Sequence, residues 1–361
     1  MTRRALELAE RGVGLVSPSP LVGCVIVSPD LEIVGEGTYE YDRVTHAEVI
    51  ALTQAGARAR GATAYVSLEP HSYHGRTAPC TSALIEAGIK RVVCPMRDPN
   101  PLVSGRGFDV LRSHGIEVVT GILREEARRL NEKFRVWHQA RRPFIHLKLA
   151  TSLDGRISLQ KSVSTAISCP EATSRVHALR HEHDAILVGG NTVAVDDPSL
   201  TDRSGKRRRR PLVRVILDNR LRIRTESNLC RTAGEIPTIV VTNSVDVEKL
   251  AAIRSCGVEI ISQDSRDLEA VLGKLRDAGI QSVLVEGGTS VAGSFRDAGL
   301  VDKYTLMIAP ILIGGDAPVA IGGIGPASID EVTRLTDVCF TRHGTDLEIT
   351  GYPSNEPLTL S

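Results

Sequence analysis

Four residues near the start of the chain are of types that together can hold a metal and move a proton. They are His46 and Glu48 in "THAEV", and His71 and Cys80 in "LEPHSYHGRTAPC". A metal that activates water for hydrolytic deamination needs three protein ligands and one open position. It also needs a carboxylate that shuttles protons without binding the metal. The order H-x-E, then a later Pro-Cys, is the arrangement zinc deaminases use. His46 and Glu48 stand at the start of a helical pattern, so both can project into one cleft. Cys80 opens another helix, where the helix dipole favours a thiolate. H-x-E alone is a common tripeptide. The weight comes from its companions: a strand, "EP", a ligand, a Gly-Arg turn and then "PC".

A second group lies in "SVLVEGGTSVAGSF" (282–295). It reads as a strand, a Gly-Gly turn and a helix, which aims backbone N–H groups at a seat for phosphate. It lacks the G-x-G-x-x-G fingerprint, so a standard dinucleotide fold is not indicated. A plain turn is the competing reading. Arg207 to Arg210 read either as a phosphate clamp or as a solvated loop. Cys24 lies in an apolar strand, and Cys94, Cys169, Cys230, Cys256 and Cys339 have no partner spacing, so all six read as packing residues.

The elements that must position these residues alternate between strand and helix. "LVGCVIV", "EIVGEGTY", "ATAYVSL", "KRVVCPM" and "EVVTGIL" predict strands in a first section. Helices are expected at "HAEVIALTQAGARARG", "CTSALIEAGI" and "GFDVLRSHGI". A charged helical stretch (124–143) then joins a second section. That section has strands at "FIHLKLA", "DAILVGG", "VRVILD", "TIVVTN", "SVLVEGG" and "KYTLMIAPILIGG", with helices between them. The pattern predicts an α/β protein of two domains, 1–141 and 142–352, with a loose tail at 353–361. Lys plus Arg number 44 against 43 Asp plus Glu, so no net charge draws the chain to nucleic acid or a membrane. Six tyrosines, five phenylalanines and one tryptophan are too few for base-stacking platforms. No apolar run reaches the roughly 18 residues of a membrane span. "MTRRALELAERG" predicts an amphipathic helix, and seven scattered cysteines read as reduced thiols, which places the chain in the cytoplasm.

Taken together, "SPSPLVGCVIV", "THAEV", "LEPHSYHGRTAPC" and "DPNPLVSGRG" resemble the deaminase domain of the bifunctional riboflavin-biosynthesis deaminase/reductase family. "LKLATSLDGRIS", "GGNTVAVDDPSLTDR" and "VRVILD" resemble its reductase domain. The resemblance implies a cytidine-deaminase-like three-layer domain followed by a dihydrofolate-reductase-like domain. It implies one zinc on His46, His71 and Cys80, with Glu48 as the proton carrier and His74 and Arg76 at the substrate. For the second domain it implies NADPH along Ala150, Thr192, Asp196, Gly288, Thr289 and Ser290. Substrate would meet Ser164, Arg180, Leu200, Arg203 and Glu286, and Asp196 would also act catalytically. Arg180 and Arg203 have the fork geometry that suits a ribose phosphate. The implied substrates are phosphorylated pyrimidines, and the implied assembly is a homodimer or higher homo-oligomer. The chain departs from the family at four places. His71 replaces a Cys, Ser19 an Asn, Val44-Thr45 a Gly-Pro type of approach to the first motif, and Ala166 a Trp.

Two other readings stand beside this one. In the first, the chain is a reductase that retains a relict deaminase domain. In the second it is a catalytically dead binder of a nucleotide or flavin precursor, which retained Glu48, Asp196 and Glu286 argue against.

Overall fold

The computed structural model describes residues 1–75 and 77–354, so Arg76 and residues 355–361 of the expected tail lie outside the described residues. The chain divides into two compact units, Met1–Arg142 and Pro143–Ser361.

The first unit contains α1 (Thr2–Glu10), β1 (Gly23–Val27), β2 (Ile33–Thr38), α2 (Ala47–Ala55), β3 (Thr63–Val66) and α3 (Cys80–Glu86). It continues with β4 (Arg91–Cys94), α4 (Arg106–Ser113), β5 (Glu117–Thr120), α5 (Arg124–Leu130) and α6 (Glu132–Gln139). The sheet order is β2-β1-β3-β4-β5. β1 pairs antiparallel with both β2 and β3, while β3, β4 and β5 run parallel. Alternating side chains of β1 divide between two faces. Cys24 and Ile26 join Ala47, Ala51, Leu84 and Phe108 from α2, α3 and α4. Val25 and Val27 meet Ala5 and Leu8 of α1. Three layers result, as expected. Helix α2 lies close on β2 because a Cβ on Gly35 or Gly37 would collide with the Ala51 or Ala47 carbonyl. That close seat fixes the start of α2, where His46 and Glu48 stand.

The charged stretch 124–143 is not a free connector. Ala127 and Phe134 are buried against Leu6, Leu68 and Met96. Asn131 breaks the stretch into two helices, and its side-chain amide bonds both the N–H and the carbonyl of Leu21. It belongs to the first unit.

The second unit contains β6 (Phe144–Ser152), α7 (Pro170–His181), β7 (Ala185–Gly189), α8 (Gly190–Asp196), β8 (Val213–Leu217), α9 (Asn228–Arg231) and β9 (Thr238–Thr242). Next come α10 (Val247–Ser255), β10 (Glu259–Ser262), α11 (Leu268–Asp277), β11 (Ser282–Val285), α12 (Thr289–Asp297), β12 (Lys303–Ala309), β13 (Arg334–His343) and β14 (Asp346–Ser354). The nine-stranded sheet runs β10-β9-β8-β7-β11-β6-β12-β14-β13, parallel as far as β12 and antiparallel beyond. One face packs Leu187, Val215 and Val241 on α11 and α12. The other packs Ile186, Ile216 and Val240 on α8, α9 and α10. Pro353 and Ser354, expected to open the loose tail, instead end β14, where they pair with Leu335 and Arg334. No described helix is long and apolar enough to cross a membrane.

Candidate functional site

His46, Glu48, His71 and Cys80 converge in the first unit. One ligand atom from each of His46, His71 and Cys80 lies within 4.8 Å of the others. His46 caps α2 and Cys80 is the first residue of α3. The loop between them is anchored where Thr81 donates its N–H to the His71 carbonyl (3.2 Å). The two imidazoles stack with centroids 4.5 Å apart. Burial, then the charge of His71, lowers the His46 pKa to about 4, and burial lowers that of His71 also. Both rings are therefore neutral near pH 7, the form that ligates a metal. Burial raises the pKa of Glu48 and of the Cys80 thiol.

Glu48 supplies the test of fit. It is 2 % exposed, and among the described residues its Oε2 is a buried oxygen with no hydrogen-bond partner. An orphaned carboxylate oxygen is costly unless something polar meets it there. Two neutral imidazoles, a thiol and this oxygen form a donor set suited to zinc and to a water beside it.

The departures have visible consequences. Ser19 Oγ reaches only the Tyr39 hydroxyl, at 3.5 Å. Val44 has φ +52°, a left-handed conformation in which a β-branched residue is strained. Its carbonyl precedes the bridge between Glu40 and Thr45 that leads into His46. His74 is exposed in the same loop as His71.

Glu69 lies in "LEPHSYHGRTAPC" but carries no role expected from its type and spacing. This buried carboxylate accepts N–H bonds from Asp98 (3.0 Å), Gly105 (2.9 Å) and Gly107 (2.9 Å). It ties the "DPNPLVSGRG" loop to the residue before Pro70-His71. The signal was its place between a strand end and a ligand, where an acidic side chain without a metal must satisfy backbone donors.

The second unit holds a cavity of about 850 Å3 at the carboxyl ends of β6, β7 and β11. Ala150, Ser164, Thr192, Asp196, Glu286, Gly288, Thr289 and Ser290 all line it. Helices α8 and α12 both begin there. Glycine allows that approach: a Cβ on Gly190 would collide with Asp218, and one on Gly287 would lie 2.7 Å from Val291 Cβ. Gly288, Thr289 and Ser290 at the start of α12 line the cavity, and no side chain caps that helix start. Burial raises the Asp196 pKa, partly offset by a hydrogen bond from Ser164.

Glu286 occupies the centre of a charge cluster. Arg180 grips it in two bonds, 2.7 and 2.9 Å, and Lys148 Nζ lies 3.8 Å away. Burial pushes the Glu286 carboxyl up, but Lys148 and Arg180 more than offset this and hold it below its usual range. Burial lowers the pKa of Lys148. Lys148 lines the cavity and was missed; inside the apolar strand pattern "FIHLKLA" it was the one charged residue.

Other expected residues sit elsewhere. Arg180 does not line the cavity, and its fork is spent on Glu286 and the Thr201 carbonyl. The Leu200 side chain is 5 % exposed and part of the core. Arg203 is exposed; its backbone N–H bonds His177 Nδ1 and its side chain bonds Thr201. Ala166 is exposed and outside the cavity lining. The arginine run is neither clamp nor solvated loop at its key position. Arg208 donates to the carbonyls of Arg180, His181 and His183 and to Asp202, closing the end of α7. In the segments "LKLATSLDGRIS" and "GGNTVAVDDPSLTDR", Asp154 accepts from Ser152, Ile313 and Gly314, and Asp197 from Asn228, so both shape turns.

Residues 143–349 match the family model of the RibD C-terminal domain, and residues 1–96 match the cytidine and deoxycytidylate deaminase zinc-binding region. The riboflavin biosynthesis protein RibD of Actinobacillus pleuropneumoniae is 42 % identical over 92 % of this chain and 89 % of its own length. That of Aquifex aeolicus is 44 % identical over 86 % of each. The solved Acinetobacter baumannii RibD has a TM-score of 0.87 at 34 % identity, covering 98 % of both chains. A diaminohydroxyphosphoribosylaminopyrimidine deaminase/5-amino-6-(5-phosphoribosylamino)uracil reductase from Thermotoga maritima has a TM-score of 0.86 at 36 % identity, covering 98 % of this chain and 97 % of that one. Zinc and a nicotinamide cofactor are the groups such a pair of units uses. With a cytidine-deaminase-like unit ahead of a reductase unit and relatives matching across nearly all of its length, the chain belongs to the bifunctional riboflavin-biosynthesis deaminase/reductase family.

Proposed function

We propose that the chain carries out both reactions in the cytoplasm. The first unit, near the expected 1–141, hydrolyses the 2-amino group of a diaminopyrimidinone ribosylamine 5-phosphate. The second reduces the ribose of the product to ribitol with NADPH. The observation that carries the first half is the convergence of His46, His71 and Cys80 beside the unpartnered oxygen of buried Glu48.

His46, His71 and Cys80 would hold zinc, which when bound supplies the Lewis acidity that makes water a nucleophile at neutral pH. Glu48 takes the proton from the attacking water and delivers it to the departing ammonia, and its burial keeps the carboxyl basic enough to do so. His74 and Arg76 are assigned to the substrate. Imidazole in place of a thiolate leaves the ligand set one negative charge short of two thiolates and one imidazole, and it remains a zinc donor set.

In the second unit NADPH, when bound, supplies the hydride. Thr192, Gly288, Thr289 and Ser290 orient it through the starts of α8 and α12, and Ala150 lines the same wall. Asp196 faces the cavity with a raised pKa, so it is placed to hand a proton to the sugar as hydride arrives. Ser164 holds Asp196 in that orientation. Exposed Arg203 is assigned to the substrate phosphate, while Arg180 acts through Glu286, fixing it beside Lys148. Leu200 contributes main chain only, since its side chain is in the core. We also infer a homodimer or higher homo-oligomer through the second unit, supported by the free sheet edge at β13, where Phe340 is 66 % exposed.

The test is ammonia release from the diaminopyrimidinone substrate by zinc-loaded protein without NADPH. NADPH oxidation with the deaminated substrate is followed separately. Release by the wild type and none by Glu48→Gln supports the first half. NADPH oxidation without any ammonia release would leave a reductase with a relict first unit.

A further inference from the structure

Aromatic rings crowd the metal-ligating cluster of the first unit. The ligand imidazoles of His46 and His71 stack on one another, and a tyrosine stands on each side of the pair. The Tyr39 ring centroid lies 5.2 Å from that of His46, and Tyr73 meets His71 edge-on at 5.5 Å. Tyr41 adjoins Tyr39 in turn, at 6.4 Å. Three of the chain's six tyrosines gather here, whereas the core between the sheet and α2, α3 and α4 is largely aliphatic. The rings are therefore particular to the site.

Local backbone structure fixes both outer rings. Glu40 and Thr45 exchange two backbone hydrogen bonds, 3.0 and 3.1 Å, so Tyr39 and His46 flank that bridge as the next cross-strand pair. Tyr73 folds over Gly75, where a Cβ would crowd the tyrosine ring at 3.2 Å.

The two tyrosines offer different things. Tyr39 is 8 % exposed, and among the described residues its hydroxyl has one partner, Ser19 Oγ at 3.5 Å. Hydroxyl pairs usually bond at about 2.7–2.8 Å, so both groups keep most of their bonding capacity. A buried phenol so poorly met is costly unless a polar ligand completes it. Tyr73 is 49 % exposed and holds an open aromatic surface at the rim of the cluster.

We propose that Tyr39 and Tyr73 form the pyrimidine-binding slot of the first unit. Tyr73 covers a flat face of the base, and the Tyr39 hydroxyl, together with Ser19, hydrogen-bonds its polar edge. The ligand class follows from the chemistry. A planar heteroaromatic ring has a π-face that an aromatic side chain covers, and an edge of ring nitrogens and amino or oxo groups that hydroxyls can bond. Ser19 is shorter than the asparagine it replaces, and Tyr39, from the segment after β2, supplies a second bonding group beside it. The slot rests on the deamination proposed above, because it takes that reaction's pyrimidine as its occupant.

Zinc-loaded full-length protein carrying Glu48→Gln binds the diaminopyrimidinone substrate without turnover, and hydroxyl-radical footprinting with mass spectrometry follows Tyr73. Substrate should protect Tyr73, and adding Tyr39→Phe should raise the concentration required by about fivefold, the loss of one hydrogen bond. In the otherwise wild-type chain, the KM for ammonia release should rise by about the same factor in Tyr39→Phe and in Tyr73→Leu, with kcat less affected. Tyr73→Phe, which keeps the ring, should recover what Tyr73→Leu loses. Zinc content, read by atomic absorption, should match the parent protein throughout. Zinc lost in step with the rise in KM overturns the proposal, because the rings then only brace the ligands. An unprotected Tyr73 and an unchanged KM, in protein that still releases ammonia, overturn it too and leave the deaminase reading standing. Protection that depends on Tyr39, in a chain whose wild type releases no ammonia, supports the slot and overturns the deaminase reading instead.

Discussion

Replacing Glu69 by Gln tests how the first site is held together. Glu69 is 4 % exposed and receives three backbone N–H bonds, two on Oε2 and one on Oε1. A glutamine keeps one acceptor, which at the place of Oε2 can still serve Asp98 and Gly105 together. It must then aim its NH2 group at the N–H of Gly107, donor against donor. Each bond to a charged acceptor contributes about 1.5–3 kcal/mol, and each buried donor left unmet costs a similar amount. The steric setting offers little relief, since a Cβ on Gly107 would already strike the Pro70 carbonyl. The lost bond therefore costs about 1.5–3 kcal/mol, which for a unit of this size lowers its melting temperature by roughly 5–10 °C. Because Pro70 leads directly to His71, bound zinc should be released over the same temperature range. Differential scanning calorimetry paired with a zinc-release dye reads both. Glu69→Asp, which keeps the charge on a shorter stem, should recover part of the loss. A Glu69→Gln protein that melts within about 2 °C of wild type would refute the clamp, since even one lost charge-assisted bond should exceed that.

Other outcomes follow from neighbouring residues. His71→Ala should bind zinc at least tenfold more weakly and release no ammonia, while NADPH oxidation with deaminated substrate is unchanged; zinc retention at wild-type affinity would remove His71 from the ligand set. Burial, then the charge of Glu69, raises the Asp98 pKa from 3.8 to about 7, so between those values the folded state binds more protons than the unfolded chain. Stability must then fall as pH rises through that window, by about 4 kcal/mol at most, and Asp98→Asn should flatten the melting temperature between pH 5 and 8. Parallel curves for the two proteins would contradict this. Glu286→Gln leaves Lys148 and Arg180 as buried cations without their carboxylate and should cost about 3–5 kcal/mol, with reductase kcat falling as well; a variant of wild-type stability would show the cluster is not coupled. Val44→Gly should relieve a left-handed β-branched residue and raise stability by about 1 kcal/mol, whereas a loss on urea titration would mean the valine side chain contributes more than its backbone strain costs.

What was legible in the sequence was whatever depended on spacing along one strand or helix. The metal cluster fell out of H-x-E and Pro-Cys because a helix start fixes where those side chains point, and α2 is held in place by glycines visible in "VGEG". The strand, Gly-Gly turn and start of α12 were legible for the same reason. Partnerships made across the fold were hidden. Arg180 looked like a phosphate ligand because its type suits one, but its fork meets Glu286, more than a hundred residues away in sequence. Arg208 looked like solvated charge, although it closes α7. Leu200 carried an expected substrate role, but its side chain packs in the core, and sequence does not display which face of a leucine is buried. The β13–β14 hairpin escaped because β13 is an edge strand with most of its residues exposed, and an exposed edge gives no buried face to impose alternation on its side chains. Charged residues whose types suggest ligands are ambiguous in a way that glycine and strand patterns are not: a guanidinium serves a substrate phosphate or a buried carboxylate equally well, and only the geometry of its partner decides. Arg203 is exposed and without a carboxylate partner among the described residues, whereas the Arg180 fork already holds Glu286.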